Sequence, residues 1–392
     1  MIRGFFFEAQ KTLAGPTDHA QNTPTPFWFV QVRSPDSKDR NGGTALASQE
    51  NASIAFFYLG GLTVVLVVSI ILAAGLGFIP IAPLDIISII ASQFGAALPS
   101  SIEPSHPFVI LEVRLPRILS AVMVGGGLAV AGCVFQSLLQ NPLADPYTLG
   151  ISAGAAFGAS LAILLLIIGV VVPASLIIPM FAFSGALATL AAVFSLSPPT
   201  MRLSSNSLIL SGIIISAILS AGISLIKFLA DEQVNAIIFW LMGSFIGKSW
   251  ADVLLLLALV VPCTIILISY ARELDIMTFG DRTSESLGIN SSRVRRSVLI
   301  IASLATSACV TVSGIIGFVG LIVPHFVRLI LGPANRLLIP CSFLCGCILL
   351  LAADTITRVF LPTELPIGVL TALIGGPIFC YIFRKSQLQQ WR

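Results

Sequence analysis

Residues 56–78 run FFYLGGLTVVLVVSIILAAGLGF without one charged side chain, and nine comparable stretches follow. A helix crossing about 30 Å of hydrocarbon needs roughly 20 apolar residues, so this repetition constrains the chain more than any other feature. The expected spans are 56–78, 118–139, 147–168, 174–196, 207–229, 252–270, 297–313, 315–331, 337–360 and 366–383. Only 10% of the 392 residues are charged and 56% are hydrophobic, whereas a soluble domain carries about a quarter charged residues. The expected fold is therefore an all-α integral membrane protein with about ten transmembrane helices. "PLDIISIIASQF" (83–94), between the first two spans, reads as a short interfacial helix lying on the bundle.

Residues 1–55 are polar and rich in Pro, Ser, Thr, Asn and Asp, with no signal-peptide core before Asn51. They are expected to be a disordered cytoplasmic tail, or upstream sequence from an over-long start; 56–385 form the membrane domain and 386–392 a cytoplasmic end. Lys and Arg accumulate on the cytoplasmic side of membrane proteins. With the N-terminus inside and ten spans, 16 of them fall inside and 5 outside, the outer five being Arg114, Arg117, Lys227, Lys248 and Arg358. Both termini are then cytoplasmic.

Function classes fall away quickly. A net charge of +3 without basic runs interleaved with aromatics argues against nucleic acid. The seven cysteines sit in apolar stretches that lack the polar support a metal site requires, so no metal or cofactor is expected on this chain. Ion-driven carriers generally need intramembrane carboxylates. Here Asp354 is the acidic residue well inside a span, and Arg358 one turn later reads as its i,i+4 partner. No phosphate-binding loop or catalytic constellation is present in the sequence. The protein is not expected to be an enzyme, and energy for uphill transport must come from a partner.

Small residues recur inside the spans. Gly150, Gly154 and Gly158 fall four apart, and Gly314, Gly317 and Gly320 three apart, which reads as close helix packing in lipid. The exception to all this apolarity is residues 272–296, which hold nine of the 39 charged residues between long apolar runs. "IMTFG" is interrupted by Gly280. "DRTSESLGI" can start a second short helix at Asp281 that ends at Gly288. Two short helices at an angle on the inner face would fit a groove on a cytoplasmic subunit.

Four blocks carry a family resemblance: "RLPRILSAVMVGGGLAVAGCVFQSLLQNPLADPYTLGISAGAAFGA" (114–159), "FWLMGSFIGKSW" (239–250), "GFVGLIVPHFVRLILGP" (317–333) and "ELPIGVLTALIGGPIFCYI" (364–382). In this order they resemble the permease subunits of the iron-siderophore, haem and cobalamin family of ATP-binding-cassette (type II) importers. The resemblance implies a ten-helix subunit paired with an identical or similar permease in the bacterial or archaeal cytoplasmic membrane. It also implies two cytoplasmic ATPases that use ATP and Mg, and a periplasmic or lipid-anchored binding protein. The family's coupling helices fall on 274–290, so Gly280, Asp281, Arg282, Glu285, Leu287 and Gly288 are the expected ATPase contacts. Its outward arginines match Arg114, Arg117 and Arg358, expected to hold carboxylates of the binding protein. The fifth span faces the central path in related permeases, which makes Ser207, Ser211, Ser220 and Ser224 an expected weakly polar lining. Iron(III)-siderophore cargo is the family's commonest assignment, with cobalamin or haem as the alternative.

Overall fold

The computed structural model describes residues 43–77, 79–196, 205–360 and 364–390. Residues 1–42 of the expected tail, and 391 and 392 of the C-terminal end, lie outside the described residues. The described chain is helical, with no strand among these residues. Its helices are α1 (Gly43–Gly75), α2 (Pro83–Ser92), α3 (Ser105–Leu139), α4 (Ile151–Ile167), α5 (Ala174–Leu196) and α6 (Ser205–Leu229). Then follow α7 (Val234–Leu241), α8 (Trp250–Ser269), α9 (Ala271–Met277), α10 (Asp281–Ser286), α11 (Ser291–Ser313), α12 (Val319–Leu331), α13 (Asn335–Phe360) and α14 (Ile367–Gln390).

Among the described residues, seven helices are long and apolar enough to cross a membrane: α1, α3, α5, α6, α8, α11 and α13. The three other expected spans coincide with α4, α12 and the apolar part of α14. Each of the ten expected stretches is thus helical, with shifted ends. α1 begins at Gly43, ahead of the expected boundary at 56, and α3 begins at Ser105 and not near 118. The start of α3 is π-helical over Val109–Arg114.

α3 is the hub. In its most apolar window 94% of residues are buried, against 11% in α1. Lipid tails are as apolar as leucine, so helices associate there by close backbone approach. Gly125 of α3 and Gly346 of α13 meet so tightly that a Cβ on either would run into the carbonyl of the other. Gly154 of α4 packs in the same way on Gly185 of α5, and Gly158 on the backbone at Phe181. The expected glycine stripe is shorter than its spacing suggested. Gly150 is not in the helix but precedes it with φ +77°, as the residue that turns the chain into α4.

The spacing of Gly314, Gly317 and Gly320 misleads in a similar way. α11 ends at Ser313 and the chain is not helical again until Val319, so only Gly320 belongs to α12. At 13 residues, α12 is about 20 Å long, short of the hydrocarbon thickness. Irregular backbone at such depth must find partners within the protein. Ser244 N donates to Ser313 O at 2.8 Å, Ile316 N donates to the Tyr147 hydroxyl at 3.2 Å, and that hydroxyl donates in turn to Ile316 O. α2 lies on the bundle as expected, with Ile86 and Ile89 buried and Leu84 and Ile87 exposed.

Candidate functional site

The charged residues collect at two ends of α3. One end is the segment 271–296, built as the helix pair α9 and α10. Burial of Ala271, Leu274 and Met277 seats α9 on the bundle. Gly280, at φ +93°, turns the chain into α10 in a backbone region that other residues avoid. Gly288, at φ +84°, ends the second helix, where the sequence placed its stop. Ser284 is fully buried, and its hydroxyl donates to Ile276 O at 3.2 Å and to Gly280 O at 2.9 Å, tying the two helices together.

This pair is braced from behind by residues the sequence reading did not single out. Gln140, the left-handed cap of α3, donates its side-chain amide to Met277 O at 2.9 Å. Asp275 Oδ1 accepts from Asn335 N at 2.9 Å and from Asn335 Nδ2 at 2.7 Å, while Ser137 Oγ donates to Asn335 Oδ1 at 2.7 Å. Burial raises the Asp275 carboxyl above its ordinary range, and the Asn335 bonds draw it part of the way back. A signal existed in the sequence: "FQSLLQN" places Ser137 and Gln140 at the end of an otherwise apolar helix, where a polar side chain must bond to something.

In front, the pair presents side chains to solvent. Arg282, Glu285, Leu287 and Gly288 are exposed, with Leu287 at 62%. Phe279, which the sequence reading passed over within "IMTFG", is exposed at 61%. Asp281 differs from its neighbours: it turns back to accept from Arg295 Nη2 at 3.0 Å. It is therefore partly committed to holding α10 against α11.

The other end of α3 holds the three arginines expected to face outward, and each is engaged within the chain. Arg114 is 6% exposed and donates from Nη1 to Ala74 O at 2.6 Å and from Nη2 to Ile79 O at 2.5 Å. Arg358 Nη2 donates to Ala73 O at 2.6 Å. Both guanidiniums therefore cap the C-terminal end of α1, where free carbonyls concentrate negative potential. Arg117 grips Asp354 through Nη2 at 2.9 Å and Nε at 3.1 Å, and Glu364 through Nη1 at 2.8 Å. The expected i,i+4 pair of Asp354 with Arg358 does not form. Arg117, from the neighbouring helix, offers a bidentate fork, a better geometry for a buried carboxylate.

The four serines of α6 do not make one lining. Ser211 is buried and Ser207 half-buried, whereas Ser220 and Ser224 are exposed. Ser211 and Ser220 are nine residues apart, which at 100° per residue turns the second pair roughly 180° from the first.

Comparison with known proteins now fixes the class of this architecture. The FecCD transport family matches residues 65–385. The chain belongs to that family. An ABC transporter permease of Bacillus subtilis is 40% identical over 326 residues, covering 82% of this chain and 91% of its own length. A cobalamin import permease of Halobacterium salinarum is 38% identical over 299 residues, covering 76% and 79% respectively. A solved inward-facing structure, of a transporter described as metal-chelate type, superposes with a TM-score of 0.72 at 34% identity, covering 83% of this chain and 98% of that one. The protein is thus a multi-pass permease of the ABC-importer class, and the arrangement around α3 is that of a permease subunit.

Proposed function

We propose that this chain is the membrane subunit of an ATP-driven importer in a bacterial or archaeal cytoplasmic membrane, and that with a second copy or a paralogue it forms the path for an iron(III) chelate. Two cytoplasmic ATPases supply the energy through α9 and α10, and a binding protein delivers the chelate at the opposite end. In this reading both termini are cytoplasmic, which agrees with the distribution of Lys and Arg. One observation carries the ATPase role. The exposed face of Phe279, Arg282, Glu285 and Leu287 stands on a helix pair braced to α3, α11 and α13. A push on that face moves the bundle core, as alternation between inward- and outward-facing states requires.

Iron(III) chelate is the cargo favoured by the metal-chelate description of the structural neighbour. Cobalamin is the second reading, favoured by the Halobacterium relative. Permeases named for cobalamin, molybdate, Fe(3+)-citrate and hemin match at 36–38% identity, so overall similarity does not rank these cargoes. The test is uptake of radioactive iron(III)-citrate and of cobalamin into right-side-out vesicles holding the complete transporter. Uptake of the iron chelate that needs internal ATP and survives a proton uncoupler supports the proposal. Uptake that collapses with the uncoupler and ignores ATP would make the protein a secondary carrier.

A further inference from the structure

The two halves of α12 differ on either side of Pro324. Before it, Val319, Gly320, Ile322 and Val323 are buried, whereas Phe326, Leu329 and Ile330 beyond it are exposed. The first half is pinned: a Cβ on Gly132 of α3 would run into Gly320 O, so the two backbones touch there. Phe318, which opens the helix, is held at φ +68°, where a bulky side chain is strained. Its ring and Cβ fill the space that a side chain on Gly375 of α14 would need.

Proline has no N–H, so Pro324 leaves Gly320 O without its intrahelical donor. Gln136 of α3, itself buried, supplies one: Nε2 donates to Gly320 O at 3.3 Å and to Leu321 O at 3.1 Å. The other side of the same amide accepts from Arg328 Nη1 at 3.0 Å, one turn beyond the proline. One side chain thus bonds α12 on both sides of its missing backbone bond. Among the described residues no carboxylate pairs with Arg328, so a neutral amide holds this half-buried guanidinium.

Beyond Arg328 the chain soon reaches the helix pair. Gly332, at φ +84°, ends α12, and Asn335 is the residue bonded to Asp275 of α9. Asn335 gives two bonds to that carboxylate and takes one from Ser137 of α3, and bonds to a charged partner are the stronger. A displacement of α9 is therefore passed through Asn335 to the second half of α12, while the first half stays against α3.

We infer that α12 is a lever hinged at Pro324, that Gln136 is the residue positioning it, and that release of Arg328 from Gln136 lets a movement of α9 tilt its second half. The drive for the lever rests on the ATPase role proposed above, whereas the hinge does not depend on the cargo.

The complete transporter in nanodiscs provides the test, read by fluorine NMR of a trifluoromethyl tag on Leu329→Cys. Cys380, the exposed native thiol, is replaced by Cys380→Ser, and the same background without Leu329→Cys gives the blank. The tag on otherwise wild-type α12 should give two resonances whose ratio changes with ATP. Gln136→Leu should shift that ratio about tenfold toward the ATP-bound form before ATP is added, the effect of losing one hydrogen bond to a charged group. It also strands Gly320 O and costs stability, so Pro324→Ala is the decisive variant. Pro324→Ala restores an N–H for Gly320 O, and thermal unfolding should stay unchanged or rise. Uptake should nevertheless fall about tenfold, as one state of the lever becomes correspondingly rarer, and the resonances should no longer answer to ATP. A purely structural role would move stability and uptake in the same direction. Full uptake by Pro324→Ala overturns the hinge, as do resonances that answer to ATP equally with and without the proline. A wild type whose resonances answer to ATP while its vesicles take up neither iron chelate nor cobalamin keeps the lever and sinks the cargo reading. ATP-driven uptake with a single unresponsive resonance does the opposite.

Discussion

The two charged ends of α3 look alike in sequence and differ in what their charges do. At one end Arg114, Arg117 and Arg358 are turned inward, onto the carbonyls of α1 and the carboxylates of Asp354 and Glu364. At the other, Arg282, Glu285 and Leu287 face solvent on a helix pair held from behind by Gln140, Asp275 and Asn335. The difference lies in the supply of acceptors. A guanidinium beside a helix end and a buried carboxylate is satisfied within the chain. One on a short helix projecting from the bundle has only solvent or a partner.

The sharpest way to break this contrast is to damage each end and ask what fails. Gly280→Pro with Leu287→Asp should abolish ATP-driven uptake while membrane insertion stays as in the wild type, because Gly280 needs a positive φ that proline cannot adopt and the turn between α9 and α10 is lost. Arg117→Ala should instead destabilise the fold by about 3–5 kcal/mol, since it strands the 1%-exposed Asp354. Unfolding in detergent should show that loss, and Asp354→Asn on the same background should recover part of it. If Arg117→Ala unfolds normally but loses capture of the binding protein at low salt, the arginine end is a docking surface too and the contrast collapses. Gln140→Ala should cost less, about 0.5–1.5 kcal/mol for one hydrogen bond. It should also lower the ATP turnover stimulated by transport, a loss that a purely structural bond would not cause.

A dependence on pH concerns Asp145, in the loop between α3 and α4. Its buried carboxyl is pushed up to about 7 from an ordinary 3.8. The folded state therefore holds a proton that the unfolded chain releases near pH 4. Stability should be highest below that pH, fall as pH rises to about 7, and level off above it. Asp145→Asn, which keeps an acceptor for the Tyr147 N–H, should flatten this slope in thermal scans from pH 4 to 8.

Much of this was legible in the sequence. Ten apolar stretches predicted ten helical elements, and the Gly280 and Gly288 breaks predicted the helix pair with its stop. Each rests on a local rule, hydrophobic length or glycine geometry. The misreadings concern relations across the bundle. Asp354 and Arg358 have ideal spacing, yet no local rule could reveal that Arg117 would arrive from 237 positions away with a better fork. The serines of α6 failed differently. Spacing of four holds within each pair, but the nine residues from Ser211 to Ser220 reverse the face, which counting along the whole helix would have exposed. The brace behind α9 joins α3, α9 and α13, and no single stretch announces it.

The central claim is that α9 and α10 receive an ATPase. Its most direct test is mild-detergent purification of the tagged protein from its native membrane, beside a version with residues 277–289 scrambled. The account predicts a stoichiometric ATPase with a phosphate-binding loop on the first protein and none on the second, with both eluting as folded species. An ATPase that stays bound to the scrambled protein, or a wild-type protein that comes out alone and moves solute without ATP, would contradict it.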